Sequence, residues 1–215
     1  SGEMLANALM AGICSVGADA VYVGVVPTPA IAYLTRHYGY DAGVVISASH
    51  NPSEYNGIKF FNGDGYKLSD LLEDEIEEVM RMNSAELPMP VGGEVGHITY
   101  RYDAKDDYVR FACSLIDLDL SGLKIVVDTA EGASYYTAPK TLESLGAKPV
   151  VIHNHPDGVN INRACGSTHM EELKKRVVEE GADLGIAFDG DADRMLAVDE
   201  NGNMVDGDQI MAICG

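Results

Sequence analysis

The chain has 215 residues, 15 Lys+Arg against 34 Asp+Glu, a formal net charge of −19 and 46% hydrophobic residues. That balance excludes wholesale disorder, and the length allows one large or two smaller domains, each with its own core. The acidic excess excludes nucleic acid or an anionic membrane as the main partner, because phosphates are gripped by clustered Lys and Arg.

In chain order, Leu5, Leu9, Ala11, Ile13 and Val16 share roughly one helical face, and Gly17 supplies a stop. Residues 20–26 read as a buried strand. Thr28 and Pro29 read as an N-cap and a first helical residue, opening a helix to about His37 that Gly39 ends. Residues 43–46 form the next strand, so strand, helix and strand predict a parallel unit with a right-handed crossover. Ser47-Ala48-Ser49-His50-Asn51-Pro52 breaks the pattern, because Pro52 lacks an amide hydrogen and restrains Asn51. Residues 58–61, Asn62-Gly63-Asp64-Gly65 and 66–68 predict a hairpin. Asp70 with Glu73 predicts a capping box for an acidic helix through Met82. The Pro- and Gly-rich stretch 88–96 is the best candidate boundary, and 106–116 reads as a helix leading onward.

The second unit is predicted as strand 124–128, helix 134–145 ended by Gly146, and strand 149–153. A loop rich in Asn, Gly and His then reaches a second capping box, Thr168 with Glu171, whose helix stops at Gly181. Strand 184–188 meets the run Asp189-Gly190-Asp191-Ala192-Asp193-Arg194. Residues 195–199, Asn201-Gly202 and 203–205 predict a hairpin with a type I′ turn. The fold class is therefore α/β: tandem α/β domains with mixed, largely parallel sheets flanked by helices. No window nears eighteen uninterrupted apolar residues, so no bilayer span is expected, and no leader pattern is read at the start. Cys14, Cys113, Cys165 and Cys214 form no CxxC and read as reduced thiols in a cytoplasmic protein. Both ends look cut: Ser1 runs straight into a helical pattern without Met, and the apolar segment from Gln209 stops almost at once.

The acidic run is the sharpest chemical feature. Asp189, Asp191 and Asp193 alternate with small residues, so an extended or looping backbone points all three the same way. Three such carboxylates repel unless a cation sits between them, and all-oxygen ligands suit Mg²⁺ or Ca²⁺ rather than zinc. Glu200 completes EF-hand spacing, but Arg194 stands where that loop needs Gly and the flanks read as strands, so an EF-hand is rejected. A solvated acidic turn is the plainer alternative; placement at the C-terminal end of a parallel strand favours function. Ser49 ends a strand in the same way, with His50 beside it. A serine hydroxyl needs a base or a metal to act as nucleophile, and adjacent residues rarely face each other, so alone this loop reads more simply as a structural turn. Lys59 alone reads as an ordinary exposed lysine or as a cation for an anionic substrate. His153, His155, Cys165 and His169 fit no common zinc spacing.

Taken together, two loops carry a family. Residues 45–52, followed by Asn56-Gly57-Ile58-Lys59-Phe60-Phe61, resemble the active-serine loop of the α-D-phosphohexomutases, and residues 189–194 resemble their metal loop. The segments 57–61, 156–162, 165–169 and 205–211 are similar to the amino-sugar branch of that family. The resemblance implies domain 1 at 1–100 with its N-terminal part missing, domain 2 at 101–204, and the start of domain 3 at 205–215. It implies that Ser49 carries a phosphoryl group and that Asp189, Asp191 and Asp193 hold Mg²⁺ with a phosphoserine oxygen. Arg194 would reach the phosphoryl group, Lys59 would be the general acid/base, and His50 and Asn51 would line the loop. The implied reaction interconverts glucosamine 6-phosphate and glucosamine 1-phosphate through a hexosamine bisphosphate, which is also the activator, feeding UDP-N-acetylglucosamine and cell-wall synthesis. The implied partner is a small sugar phosphate, with a homodimer left open. Rival readings are phosphoglucomutase or phosphomannomutase chemistry, a haloacid dehalogenase-type enzyme phosphorylated on Asp189, or a metal-binding fragment without catalysis. Glu131 departs from the family pattern, which has Asn after Ala130.

Overall fold

The apolar face read along residues 5–16 forms the first helix of the computed structural model, which describes residues 1–82 and 87–215. The chain divides into two units. The first comprises residues 1–24, 31–46 and 58–104, and the second comprises 25–30, 47–57 and 105–215.

In the first unit, α1 (Gly2–Ser15) turns Met10 and Cys14 onto Ala20 of β1 (Ala20–Tyr22). β1 is shorter than the seven-residue strand expected, because residues 25–30 leave it for the second unit, where the Thr28 amide donates to the Asp191 carbonyl at 2.9 Å. α2 (Thr28–Tyr38) follows, then β2 (Ala42–Ser47) and β3 (Gly57–Asn62). The hairpin after β3 is closed by a bridge between Phe61 and Lys67. α3 (Asp70–Arg81) is capped by the Ser69 hydroxyl, which accepts from the Leu72 amide, so Ser69 rather than Asp70 is the N-cap and Asp70 and Glu73 supply charge to the first turn. A strand that the sequence did not signal, β4 (Ile98–Tyr100), pairs in parallel with β1, Tyr22 opposite Tyr100, while β2 pairs with β3. The expected β1–β2 parallel pair is therefore replaced: among the described residues the only partner of β1 is β4.

The second unit opens with α4 (Ala104–Ser114) and the buried strand β5 (Lys124–Asp128). Where a single helix was expected at 134–145, a 3-10 turn (Ala133–Tyr135) precedes α5 (Thr137–Ser144). β6 (Lys148–Ile152), α6 (Glu171–Glu180), β7 (Leu184–Phe188), β8 (Met195–Asp199), β9 (Met204–Val205) and α7 (Gly207–Cys214) complete it. The sheet order is β6-β5-β7-β8-β9, parallel through β6, β5 and β7 and antiparallel beyond. Alternation along β5 feeds two cores. Val126 meets Leu173 and Val177 of α6, with Ala187 and Val198, while Ile125 and Val127 meet Ala138 and Leu142 of α5. Both faces are covered, as parallel strands require.

Two local expectations change. Thr168 lies in a 3-10 turn (Gly166–Thr168) and Met170 precedes α6 without a side-chain cap, so the second capping box does not form. The β8–β9 turn is not type I′, since Asn201 keeps an ordinary φ and only Gly202 is left-handed, at +83°. The Gly202 amide donates to the Asp199 carbonyl at 3.0 Å and the Asp199 amide to the Asn203 carbonyl at 2.9 Å, the pattern of a type I turn with a glycine bulge. The Asp199 carboxylate favours it by accepting from the amides of Asn201 and Asn203. α7 starts with a capping box between Asp206 and Gln209.

Candidate active site

The acidic loop leaves the end of β7, the strand beside β5, and folds back on itself. The Ala192 amide donates to the Asp189 carbonyl at 3.0 Å, and Ala192 takes a left-handed φ of 54°. One oxygen from each of Asp189, Asp191 and Asp193 lies within 4.8 Å of the others. Asp189 and Asp191 are 1% exposed, whereas Asp193 is exposed. Burial, then the neighbouring Asp191, pushes the Asp189 carboxyl above its ordinary range; the Arg194 amide and guanidinium pull the other way. Crowded, desolvated carboxylates of this kind fit a hard divalent cation, whose charge would relieve both effects.

Two groups hold the loop. The Thr28 hydroxyl donates to Asp191 Oδ2 at 2.8 Å, so the residue expected to cap α2 instead orients a carboxylate. Arg194 Nε and Nη2 donate to Asp189 Oδ2 at 3.1 and 2.7 Å, and Nε also reaches Asp193 Oδ1 at 3.2 Å. Arg194 Nη2 lies 3.1 Å from Ser49 Oγ and 2.7 Å from His50 Nδ1, which places the serine loop beside the acidic loop.

Ser49 is half-buried and holds a left-handed φ of 54°, a conformation that non-glycine residues adopt only when their surroundings enforce it. Its amide donates to Ser47 Oγ at 2.9 Å, and the Asn51 amide to the Ala48 carbonyl at 3.0 Å. Asn162 Nδ2 donates to the carbonyls of Ser49 and Asn51 at 2.8 and 2.9 Å. The loops meet through glycine: a Cβ on Gly190 would stand 2.5 Å from the Ser49 carbonyl oxygen and 2.8 Å from Asn162 Nδ2, and one on Gly132 would strike the Gly190 carbonyl. The turn after β5 supports the stack, as the Ala133 amide donates to the Gly190 carbonyl at 2.8 Å. Glu131 takes a left-handed φ of 48° in this turn, and its carboxylate accepts from the His155 amide at 2.5 Å, so the departure from Asn is accommodated locally.

Ser49, His50, Asn51, Asp189, Asp191, Asp193 and Arg194 thus come together in the second unit. Lys59 lies half-buried on β3, in the first unit. Thr28 and Asn162 join the site without having been singled out for it. Thr28 was absorbed by its fit as a helix cap, and Asn162 ended the segment 156–162 that carried the family resemblance. The four residues tested for zinc separate. His153 Nδ1 faces Asp128 Oδ2 at 3.0 Å and its Nε2 faces Glu172 at 3.1 Å, and Cys165 joins Asp128 and His153, but His155 and His169 do not. Asp128 is fully buried and accepts the amides of Ala130 and Gly166 at 2.8 Å each. The Asp128 carboxylate facing its Nδ1 raises the His153 pKa, while burial pushes the Cys165 thiol up to about 12. When protonated, the imidazole pairs with the two carboxylates beside it.

A serine, an arginine and three converging aspartates thus lie together in the loops that follow β2 and β7. Comparison with known families finds that phosphoglucomutase/phosphomannomutase, alpha/beta/alpha domain I, matches residues 1–86 and domain II matches 106–202. The chain belongs to the phosphoglucomutase/phosphomannomutase family. Among curated relatives, the phosphoglucosamine mutases of Clostridium novyi and Acetivibrio thermocellus are 65% and 61% identical over 215 residues, all of this chain and 48% of theirs. The chain therefore spans about half the length of the curated relatives it matches. A phosphoglucomutase/phosphomannomutase family protein of Burkholderia thailandensis superposes with a TM-score of 0.78 at 27% identity, covering 95% of this chain and 45% of that one. A Thermus thermophilus structure described as a phosphomannomutase shares the fold, at TM-score 0.79 and 23% identity over 97% of this chain and 48% of that one.

Proposed function

We propose that the whole protein interconverts glucosamine 6-phosphate and glucosamine 1-phosphate, with Ser49 as the phosphoryl carrier. The observation that carries this is Ser49 Oγ at 3.1 Å from Arg194 Nη2, beside three converging aspartates. The 61–65% identity to phosphoglucosamine mutases favours an amino sugar over glucose or mannose. Asp189, Asp191 and Asp193 would hold Mg²⁺, which when bound neutralises charge that a phosphoserine, at about −2, would otherwise add to an acidic loop.

In this reading phospho-Ser49 gives its phosphoryl group to the free hydroxyl of the hexosamine monophosphate. The serine O–P bond breaks, a sugar O–P bond forms, and the hydroxyl proton passes to a base, the role proposed for Lys59. The bisphosphate turns over, its other phosphoryl group returns to Ser49, and the isomeric monophosphate leaves. Arg194 would orient the phosphoryl oxygens while its ties to Asp189 keep it in place. His50 and Asn51 would line the same loop. The four cysteines are free, as the proposed cytoplasmic setting would keep them, and no helix among the described residues is long and apolar enough to cross a membrane.

The test is incubation with Mg²⁺ and a ³²P-labelled hexosamine bisphosphate, followed by peptide mapping and by relative turnover of glucosamine, glucose and mannose phosphates. Label on Ser49 and a preference for glucosamine phosphate are expected. Label on Asp189, or none on Ser49, would sink the proposal.

A further inference from the structure

We infer that Asn162 is a positioning residue, setting the backbone of the serine loop so that Ser49 Oγ faces its reaction partners. The inference rests on the proposed role of Ser49. Asn162 is 8% exposed and stands far from Ser49 in sequence, at a left-handed φ of 58°. Its own amide is tied to the turn after β5, donating to the Ala130 carbonyl at 2.9 Å. Its side-chain nitrogen faces two carbonyl oxygens, those of Ser49 and Asn51 at 2.8 and 2.9 Å. Carbonyl oxygens only accept, so the NH₂ end of the amide must point at them, and both its hydrogens are engaged. The two acceptors bracket His50 in the chain, and holding both fixes the Ser49–His50 and Asn51–Pro52 peptide planes. That holds Ser49 in its left-handed conformation and its hydroxyl at Arg194 Nη2.

The geometry demands this residue type. Aspartate would place acceptor against acceptor, and an apolar isostere would leave the two carbonyls without their donor. Gly190 packs against the same pair, its missing Cβ making room for the Ser49 carbonyl and for Asn162 Nδ2. Asn162 therefore ties the turn after β5 to the serine loop and packs against the acidic loop at Gly190. It touches no reacting atom, and its effect runs through the backbone that presents Ser49.

The experiment has two arms. In the whole protein, Asn162→Asp and Asn162→Ala should lower kcat about tenfold to a hundredfold, the scale of one to two lost hydrogen bonds. KM for the sugar phosphate should stay within about threefold. Asn162→Ser keeps one donor and should fall between these variants and the wild type. In the whole protein, hydrogen exchange of amides 47–51 should quicken about tenfold in Asn162→Asp while β5 and α6 keep their protection. A kcat unchanged in all three variants, unchanged exchange at 47–51, or exchange that quickens equally in β5 and α6 would overturn the inference, the last by showing a merely structural role. Should the wild type carry no label on Ser49, the functional reading falls, and the exchange arm alone decides whether Asn162 sets the loop.

Discussion

The two units bury their side chains on different terms. In the second, β5 is covered on both faces, and Val126, Val127, Leu173 and Val177 have no exposed surface. In the first, β1 and β2 each pair with one strand among the described residues, and α3 buries no residue, leaving Leu71, Leu72, Val79 and Met80 exposed. Segments 25–30 and 47–57, embedded in the sequence of the first unit, belong by their contacts to the second. A loop's precision is thus set by the sheet it packs on, not by the elements that flank it in sequence.

The largest expected effect tests that contrast directly. Leu173→Ala should destabilise the second unit by about 2–5 kcal/mol, whereas Met80→Ala on the exposed face of α3 should change stability by less than about 0.5 kcal/mol. Urea titration followed by circular dichroism measures both; comparable losses would break the comparison.

A smaller effect sharpens the account of the interlocked loops. Gly190→Ala places a methyl against the Ser49 carbonyl, the Ile161 side chain and Asn162 Nδ2, and should cost about 1–3 kcal/mol through overpacking. It should also abolish the rise in Tm expected of the wild type on adding Mg²⁺ under the proposed binding, because the acidic loop can no longer sit beside the serine loop. An undiminished Mg²⁺ response would mean that the two loops do not depend on each other.

The smallest effect concerns pH. Asp128 and Glu172 favour the protonated form of His153, and its folded pKa is raised above the unfolded value of about 6.5. Its contribution to stability is full below that unfolded value and is lost as pH rises through the folded pKa. The wild type should therefore lose stability relative to His153→Gln as pH climbs from about 6.5, in paired denaturation curves. Parallel curves would show that the ion pair contributes nothing to the second unit.

Much of the second unit was legible because its signals are cooperative. β5 and β7 are continuous apolar runs closed by polar turns, and their bounds were read as the structure has them. The acidic triplet was legible because alternation with small residues leaves few other arrangements. β4 was not, since three exposed residues carry no periodicity. Thr28 was misassigned because a hydroxyl before Pro29 satisfies the local rule for a cap, while its actual acceptor lies on Asp191. The Thr168 box gave way to a 3-10 turn, and the Asn201-Gly202 turn took another type because Asp199 accepts from the amides of Asn201 and Asn203. Asn162 could be seen only once the chain had brought the carbonyls of residues 49 and 51 to it.

The division of the chain has a consequence for the order in which the site is made. Ser49 and Asn162 are 113 residues apart, and Thr28 and Asp191 are 163 apart. At ribosomal speeds of about 5–20 residues per second, the serine loop leaves the ribosome on the order of 10 s before the amide that orients it. Over that interval the loop has neither its ties nor its arginine, and the entropy of closing so long a connection is met only after the sheet of the second unit exists. The hydroxyl proposed to carry the phosphoryl group is thus made well before the groups that set it.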